Sequence, residues 1–209
     1  MVTERMIIIN DTFMKISNEK RNRIIQASLD EFNEFGYTNA STNRIVKKLE
    51  ISKGSLFKYF ATKKDLYVYL AKYATDKLLN SIDDKEIDKK SWREVMIAYA
   101  GAEFDFLIEF PREYKFFFNL VQEIEKESMA DIKHDITIKS HEYYLKIIKS
   151  TGLDITSDNI LINHIGYVLR GYNNDFIIQL DKEQLSNKAK AKYIAGLKKH
   201  LSLIGAFYE

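Results

Sequence analysis

Apolar residues recur every three or four positions along almost the whole chain, and one proline, Pro111, interrupts its 209 residues. Proline inside a helix removes a backbone donor and clashes with the preceding turn, so a long chain nearly free of it can be helical throughout. Alternation of β-branched with polar residues, the mark of strands, is scarce. The predicted fold class is all-α, with about nine helices.

Punctuation divides the helices. Gly36 is expected to close a first helix in which Ile25, Leu29, Phe32 and Phe35 form an apolar stripe. Ser41 and Ser52 stand at N-cap positions, and Thr62 precedes the basic turn "KKDL". Between those caps lie two short helices, one turning Ile45, Val46 and Leu49 inward and one placing Leu56 and Phe60 on a single face. Longer helices are predicted over 63–79, 92–110, a stretch after Pro111, 131–150, 157–180 and 186–207.

Charge is distributed unevenly although the total is only +2. Residues 1–72 hold 13 Lys and Arg against 8 Asp and Glu, whereas residues 73–209 hold 19 against 22. The positive excess sits in the N-terminal third, the electrostatic footprint of a nucleic-acid contact. Cysteine is absent, which excludes disulfides, thiolate metal sites and cysteine nucleophiles. The N-terminal apolar run is too short for a signal peptide core, and nowhere do about 18 apolar residues run together, so a cytoplasmic protein is expected.

The stretch "TNRIVKKLEISKGSLFKYFATKKDL", Thr42 to Leu66, concentrates the chemistry. Two short helices joined by a tight turn make a helix-turn-helix, whose second helix can enter a DNA major groove. Ser52 caps that helix, and Gly54 lets the backbone come close to a partner. Lys53 and Lys58 can reach phosphates or guanine acceptors, Ser55 can bond base edges, and the Phe57 ring can lie on a thymine methyl. Tyr59 offers a hydroxyl. Lys63 and Lys64 crowd the first turn of the next helix, where the dipole disfavours cations, which implies an anion in front of them. The same geometry also occurs as a plain packing corner with a solvated basic face.

Residues 23–70 resemble the DNA-binding domain of the TetR family of one-component bacterial transcriptional regulators. The resemblance rests on "IIQASLDEFNEFGYTNAST", with Phe32, Phe35, Gly36, Tyr37 and Thr42, then Ile45, then "SKGSLFKYFATKKDL", with Ser52, Gly54, Leu56, Phe60, Lys63 and Leu66. It implies that Thr42, Ser52, Tyr59 and Lys63 hold the phosphate backbone while Lys53, Gly54, Ser55, Phe57 and Lys58 face the groove floor. Phe57 departs from the family, which usually has tyrosine there, so a hydroxyl contact is lost.

The resemblance further implies residues 1–70 as the DNA-binding domain, with an arm over 1–16, and residues 71–209 as a helical bundle that binds a small-molecule effector and dimerises through its last two long helices. Apolar spacing there fits: Ile162, Ile165, Leu169, Tyr172 and Phe176, then Tyr193, Leu197, Leu201 and Ile204, with Gly166 and Gly171 expected to let helices approach. Aromatic and polar candidates for a pocket holding an apolar or aromatic effector are Phe104, Phe110, Phe117, Tyr144, His164 and Asn173. The four histidines show no metal-ligand spacing, and no catalytic elbow, phosphate loop or dinucleotide fingerprint occurs, so neither enzyme nor cofactor is expected. Membrane association is not indicated. The expected function is a ligand-responsive repressor, bound as a homodimer to a palindromic operator in double-stranded DNA. The alternative is a dimeric DNA-binding protein without an effector.

Overall fold

The computed structural model describes residues 11–82, 91–123, 149, 159–180 and 185–208. Nine helices lie among them: α1 Asp11–Met14, α2 Asn18–Asn39, α3 Thr42–Leu49, α4 Lys53–Phe57, α5 Lys63–Asn80, α6 Trp92–Glu109, α7 Pro111–Glu123, α8 Asn159–Gln179 and α9 Asn187–Tyr208. No strand occurs among the described residues. The fold is all-α, as the spacing predicts. The helix expected over 131–150 lies almost wholly outside the described residues.

Two compact units divide the chain, one within Met1–Lys77 and Phe110–Lys139, the other within Leu78–Glu109 and Ser140–Glu209. In the first, α2 packs on α3 and on α7, and a single apolar cluster gathers Ile25, Leu29 and Phe32 of α2 with Ile45 and Leu49 of α3, Leu56 of α4, Leu66 and Leu70 of α5, and Phe116 and Leu120 of α7. Tyr67 packs at its centre, edge-on to Phe32 at 4.9 Å and tilted against Phe116 at 5.1 Å between ring centroids. Burial pushes its phenol well above the ordinary range, with the Glu123 carboxylate adding to the effect, so the ring stays neutral. Each large apolar side chain buried this way contributes about 1.5–3 kcal/mol.

The helix termini are set by local chemistry. Gly36 has φ +65° and ψ 175°, a conformation that costs a side chain strain; the first regular stretch of α2 ends there, as expected, and a further helical turn follows to Asn39. Ser52 Oγ accepts from Ser55 N at 3.1 Å, and Thr62 and Asp65 cap each other reciprocally, Thr62 N donating to Asp65 Oδ2 at 2.9 Å and Asp65 N to Thr62 Oγ1 at 3.1 Å. Ser91 and Glu94 repeat that exchange before α6.

In the second unit α9 packs on α6 and α8. Phe104 of α6, Phe176 of α8 and Tyr193 of α9 meet at 5.1–6.1 Å between centroids. Tyr172 lies across α9 and donates to Tyr193 O at 2.9 Å. Gly196 makes that crossing possible, since a Cβ there would collide with Tyr172 Oη. Gly171, expected to serve this purpose, has nothing within 4 Å.

Candidate nucleic-acid interface

Backbone caps and buried side chains fix the helix-turn-helix. Glu31 lies on the buried stripe of α2, 8% exposed, and its Oε1 accepts from Ser41 N at 2.7 Å and Arg44 Nε at 2.9 Å. Ser41 makes no side-chain cap of its own, so Glu31 supplies the acceptor at the start of α3 from the neighbouring helix. Glu50 then takes a left-handed conformation, φ 56°, and its N–H closes onto Lys47 O and Val46 O, turning the chain sharply. Ile51 is half-buried against the core cluster, and Ser52 starts α4. Within α4 only Leu56 is buried. Phe60, just beyond, is 3% exposed.

That anchoring turns the rest of α4 outward. Ser52, Lys53, Gly54 and Lys58 are exposed, and Ser55 and Phe57 are half-buried. Ser52 Oγ and Ser55 Oγ lie 2.8 Å apart. Lys53 Nζ is 5.7 Å from the Phe57 ring centroid, so cation and ring share one face. Gly54 has no neighbour that a Cβ would meet closer than Ser52 Oγ at 4.0 Å. Thr42 is half-buried in the first turn of α3. Thus Thr42, Ser52, Lys53, Gly54, Ser55, Phe57 and Lys58 lie at least partly open to solvent on the two helices of the motif.

Two residues expected at the phosphate backbone stand elsewhere. Tyr59 is 7% exposed, its ring 5.4 Å from that of Phe13, because α1 folds back and seats Phe13 fully buried against Tyr59, Phe60 and Tyr69. Lys63 points into the protein, where Nζ donates to Tyr37 O at 2.8 Å, Thr38 O at 3.0 Å and Ala40 O at 3.2 Å.

Polar contacts also join α2 to the first turn of α7. Arg112 Nε pairs with Asp30 Oδ1 at 3.0 Å, Asn33 Nδ2 donates to Arg112 O at 2.9 Å, and Glu113 accepts from Lys77 at 2.7 Å and Gln26 at 3.2 Å. Burial alone would raise the Glu113 carboxyl, but hydrogen bonds from Lys77, its own backbone N–H and Gln26, together with the Lys77 charge, outweigh it and hold the group below its ordinary value. Sequence reasoning missed Glu31 and Glu113. The signal for Glu31 was a carboxylate seven residues after Ile24 on the buried stripe of α2.

The six effector candidates do not gather in either unit. Phe110 and Phe117 belong to the first, where Lys77 Nζ sits 3.6 Å from the Phe110 ring centroid. Phe104, His164 and Asn173 belong to the second: Phe104 is core, Asn173 Nδ2 donates to Glu103 Oε1 at 3.3 Å, and His164 is exposed. Tyr144 lies outside the described residues. A groove of about 820 Å³ runs between α8 and α9, floored by Tyr172, Phe176 and Gly196. Among the described residues no group of three or more acidic or histidine side chains is placed to hold a metal ion, and no helix is long and apolar enough to cross a membrane.

Residues 24–70 match the family described as bacterial regulatory proteins, tetR family. A helix-turn-helix-type transcriptional regulator of Staphylococcus aureus (strain MRSA252) is 33% identical over 101 residues, spanning 48% of this chain and about half of the relative, 52%. Another from Staphylococcus aureus (strain USA300) is 26% identical over 182 residues, 80% of this chain and 96% of the relative. Among solved structures, a TetR family transcriptional regulator from Chloroflexus aurantiacus superposes with a TM-score of 0.62 at 21% identity, covering 94% of this chain and 95% of that one. A transcriptional regulator from Aquifex aeolicus gives 0.64 at 19% identity, covering 88% and 99%. The last two likenesses establish the fold.

Proposed function

We propose that the chain is a transcriptional regulator of the tetR family with a DNA-binding helix-turn-helix, a repressor that binds a palindromic operator as a homodimer and is released by a small-molecule effector. The observation that carries the DNA contact is the division of α4: Leu56 is held in the core while Ser52, Lys53, Gly54, Ser55, Phe57 and Lys58 face outward or lie half open. Lys53, Gly54, Ser55, Phe57 and Lys58 meet the groove floor, and Thr42 and Ser52 meet phosphates. Tyr59 and Lys63 support this surface from inside. DNA binding resides in residues 1–70, with 1–16 as its arm, and effector binding and dimerisation in 71–209.

Dimerisation is supported by an unpartnered stripe on α8. Ile160, Tyr167 and Ile178 are 63–70% exposed at spacings of seven and eleven residues, which returns each to the same side of the helix. Gly171 lies on that side, facing open space, and Leu203 of α9 is 61% exposed. A second copy covering these residues gives a symmetric four-helix contact. Its recognition helices then reach successive major grooves about 34–36 Å apart. An apolar or aromatic effector that favours another spacing lowers DNA affinity, and DNA lowers effector affinity by the same factor.

Selection of bound fragments from a random DNA pool tests this reading. An enriched palindrome with half-sites one helical turn apart, or a near multiple, is the expected result, and recovery of no common sequence overturns it. The rival without an effector finds support in the close packing of Phe104, Phe176 and Tyr193 in the second unit. A thermal-shift screen of small aromatic and aliphatic compounds separates the two, because a ligand of the folded state raises the midpoint.

A further inference from the structure

Four consecutive backbone carbonyls, those of residues 37 to 40, all accept hydrogen bonds from cationic side chains. Lys63 Nζ takes three, Tyr37 O at 2.8 Å, Thr38 O at 3.0 Å and Ala40 O at 3.2 Å. Arg44 Nη2 takes the fourth, Asn39 O at 2.8 Å. An ammonium has three protons, so Lys63 is saturated by this cradle and has no donor left to turn outward. It also lies 4.9 Å from the Tyr37 ring centroid. Arg44 is also held by Glu31, through Nε and the same Nη2, and lies 4.0 Å from the Phe35 ring centroid.

The location explains the charge. The carbonyls at the C-terminal end of α2 gather partial negative charge and lack helical partners. A lysine in the first turn of α5 is unfavourable for α5 itself, but this one delivers its charge to the end of another helix. The anion that its position requires is internal. Reaching a DNA phosphate would mean releasing three charge-assisted hydrogen bonds, two of them to part-buried carbonyls.

We infer that Lys63 is a positioning residue and not a phosphate ligand: it clamps residues 37–40, the corner that leads into α3, and thereby fixes the helix-turn-helix. The cations that meet DNA are the lysines of α4 and its end, Lys53 and Lys58. This assignment rests on the DNA-binding reading above and departs from the role that the family resemblance gives Lys63.

The test is Lys63→Met, which keeps much of the stem and removes the charge, beside Lys53→Met. Thermal unfolding is measured without DNA, and affinity for a mixed-sequence duplex is measured against salt. For Lys63→Met the midpoint falls by several degrees while the slope of log K against log salt stays as in the parent. For Lys53→Met the midpoint is unchanged and the slope falls by about 0.9, the loss of one phosphate contact. A Lys63→Met protein with the parent's midpoint and a slope lower by about 0.9 overturns the inference. If that variant does not fold, Lys63→Arg decides: a planar guanidinium cannot converge three donors on one cradle, so its midpoint falls while its slope holds, whereas a phosphate ligand would leave both near the parent's. Failure of the parent to bind any duplex overturns the DNA reading instead, and the midpoints alone then judge the clamp.

Discussion

Gly54→Ala separates the fold's requirements from the partner's. Gly54 is the second residue of α4, it is exposed, and its φ is not positive. A Cβ built there meets only Ser52 Oγ, at 4.0 Å, which is ordinary van der Waals contact. Nothing within the described residues therefore calls for glycine, and the helix disfavours it. Alanine recovers about 0.5–1 kcal/mol of backbone entropy and helix propensity. At about 2–4 °C per kcal/mol for a chain of this size, the midpoint of thermal unfolding rises by about 1–4 °C. DNA affinity moves the other way. A methyl between α4 and the groove floor lifts the helix and breaks at least one base contact, each worth about 1–3 kcal/mol, so Kd rises by about 5- to 150-fold. The assays are a thermal melt without DNA and fluorescence anisotropy on the duplex enriched by selection. Parent-like affinity would refute close approach at Gly54, and a lower midpoint would refute the account of the local packing.

Glu113→Gln keeps an acceptor oxygen but removes the charge that pairs with Lys77 at a site only 5% exposed, and costs about 1–3 kcal/mol at neutral pH, read as a shift in urea midpoint. Because the folded carboxyl lies below its ordinary value, its stabilisation is fully present above the unfolded pKa, about 4.3, and is lost as pH falls through the folded value. Parent and variant therefore converge on acidification. Phe13→Ala empties the space among Tyr59, Phe60 and Tyr69 and costs about 3–5 kcal/mol by the same measurement, whereas an unchanged midpoint would mean that α1 is not docked. Gly196→Ala drives a methyl into Tyr172 and lowers thermal stability by about 1–3 kcal/mol, with fluorescence of the second unit reporting the displaced ring.

Where the fold was legible, short-range physics decided it. Ser52 precedes α4 because its hydroxyl accepts from the Ser55 N–H and starts the helix, Ser41 marks the start of α3 by position without a side-chain cap, and the apolar spacing of Ile45, Val46, Leu49 and Leu56 leaves one way to bury them. The spans of α8 and α9 obey the same spacing. Gly36 was readable as a break, but the short helical turn after it was not, since the continuation to Asn39 depends on how residues 37–39 pack. A helix after Pro111 was readable, but the burial of its Phe116 and Leu120 against α2 and α5 was not: spacing does not tell which helix covers a face.

The same limit applies with greater force to charge. Lys53 and Lys63 are both lysines near the start of a helix within one basic stretch, and nothing local distinguishes them. What separates them is long-range. The end of α2 returns beside the start of α5 and offers Lys63 three carbonyls, while α4 is anchored by Leu56 so that Lys53 stands out in solvent. Glu31 is the complementary case, an acid placed on a buried stripe because α3 needs an acceptor at its first turn and Ser41 does not provide one. A charged residue in this motif is therefore assigned by asking which unsatisfied backbone group lies within its reach once the helices are packed. Only the charges left over from that accounting are available to DNA, and on α4 Lys53 stands exposed on the face that Gly54 leaves open.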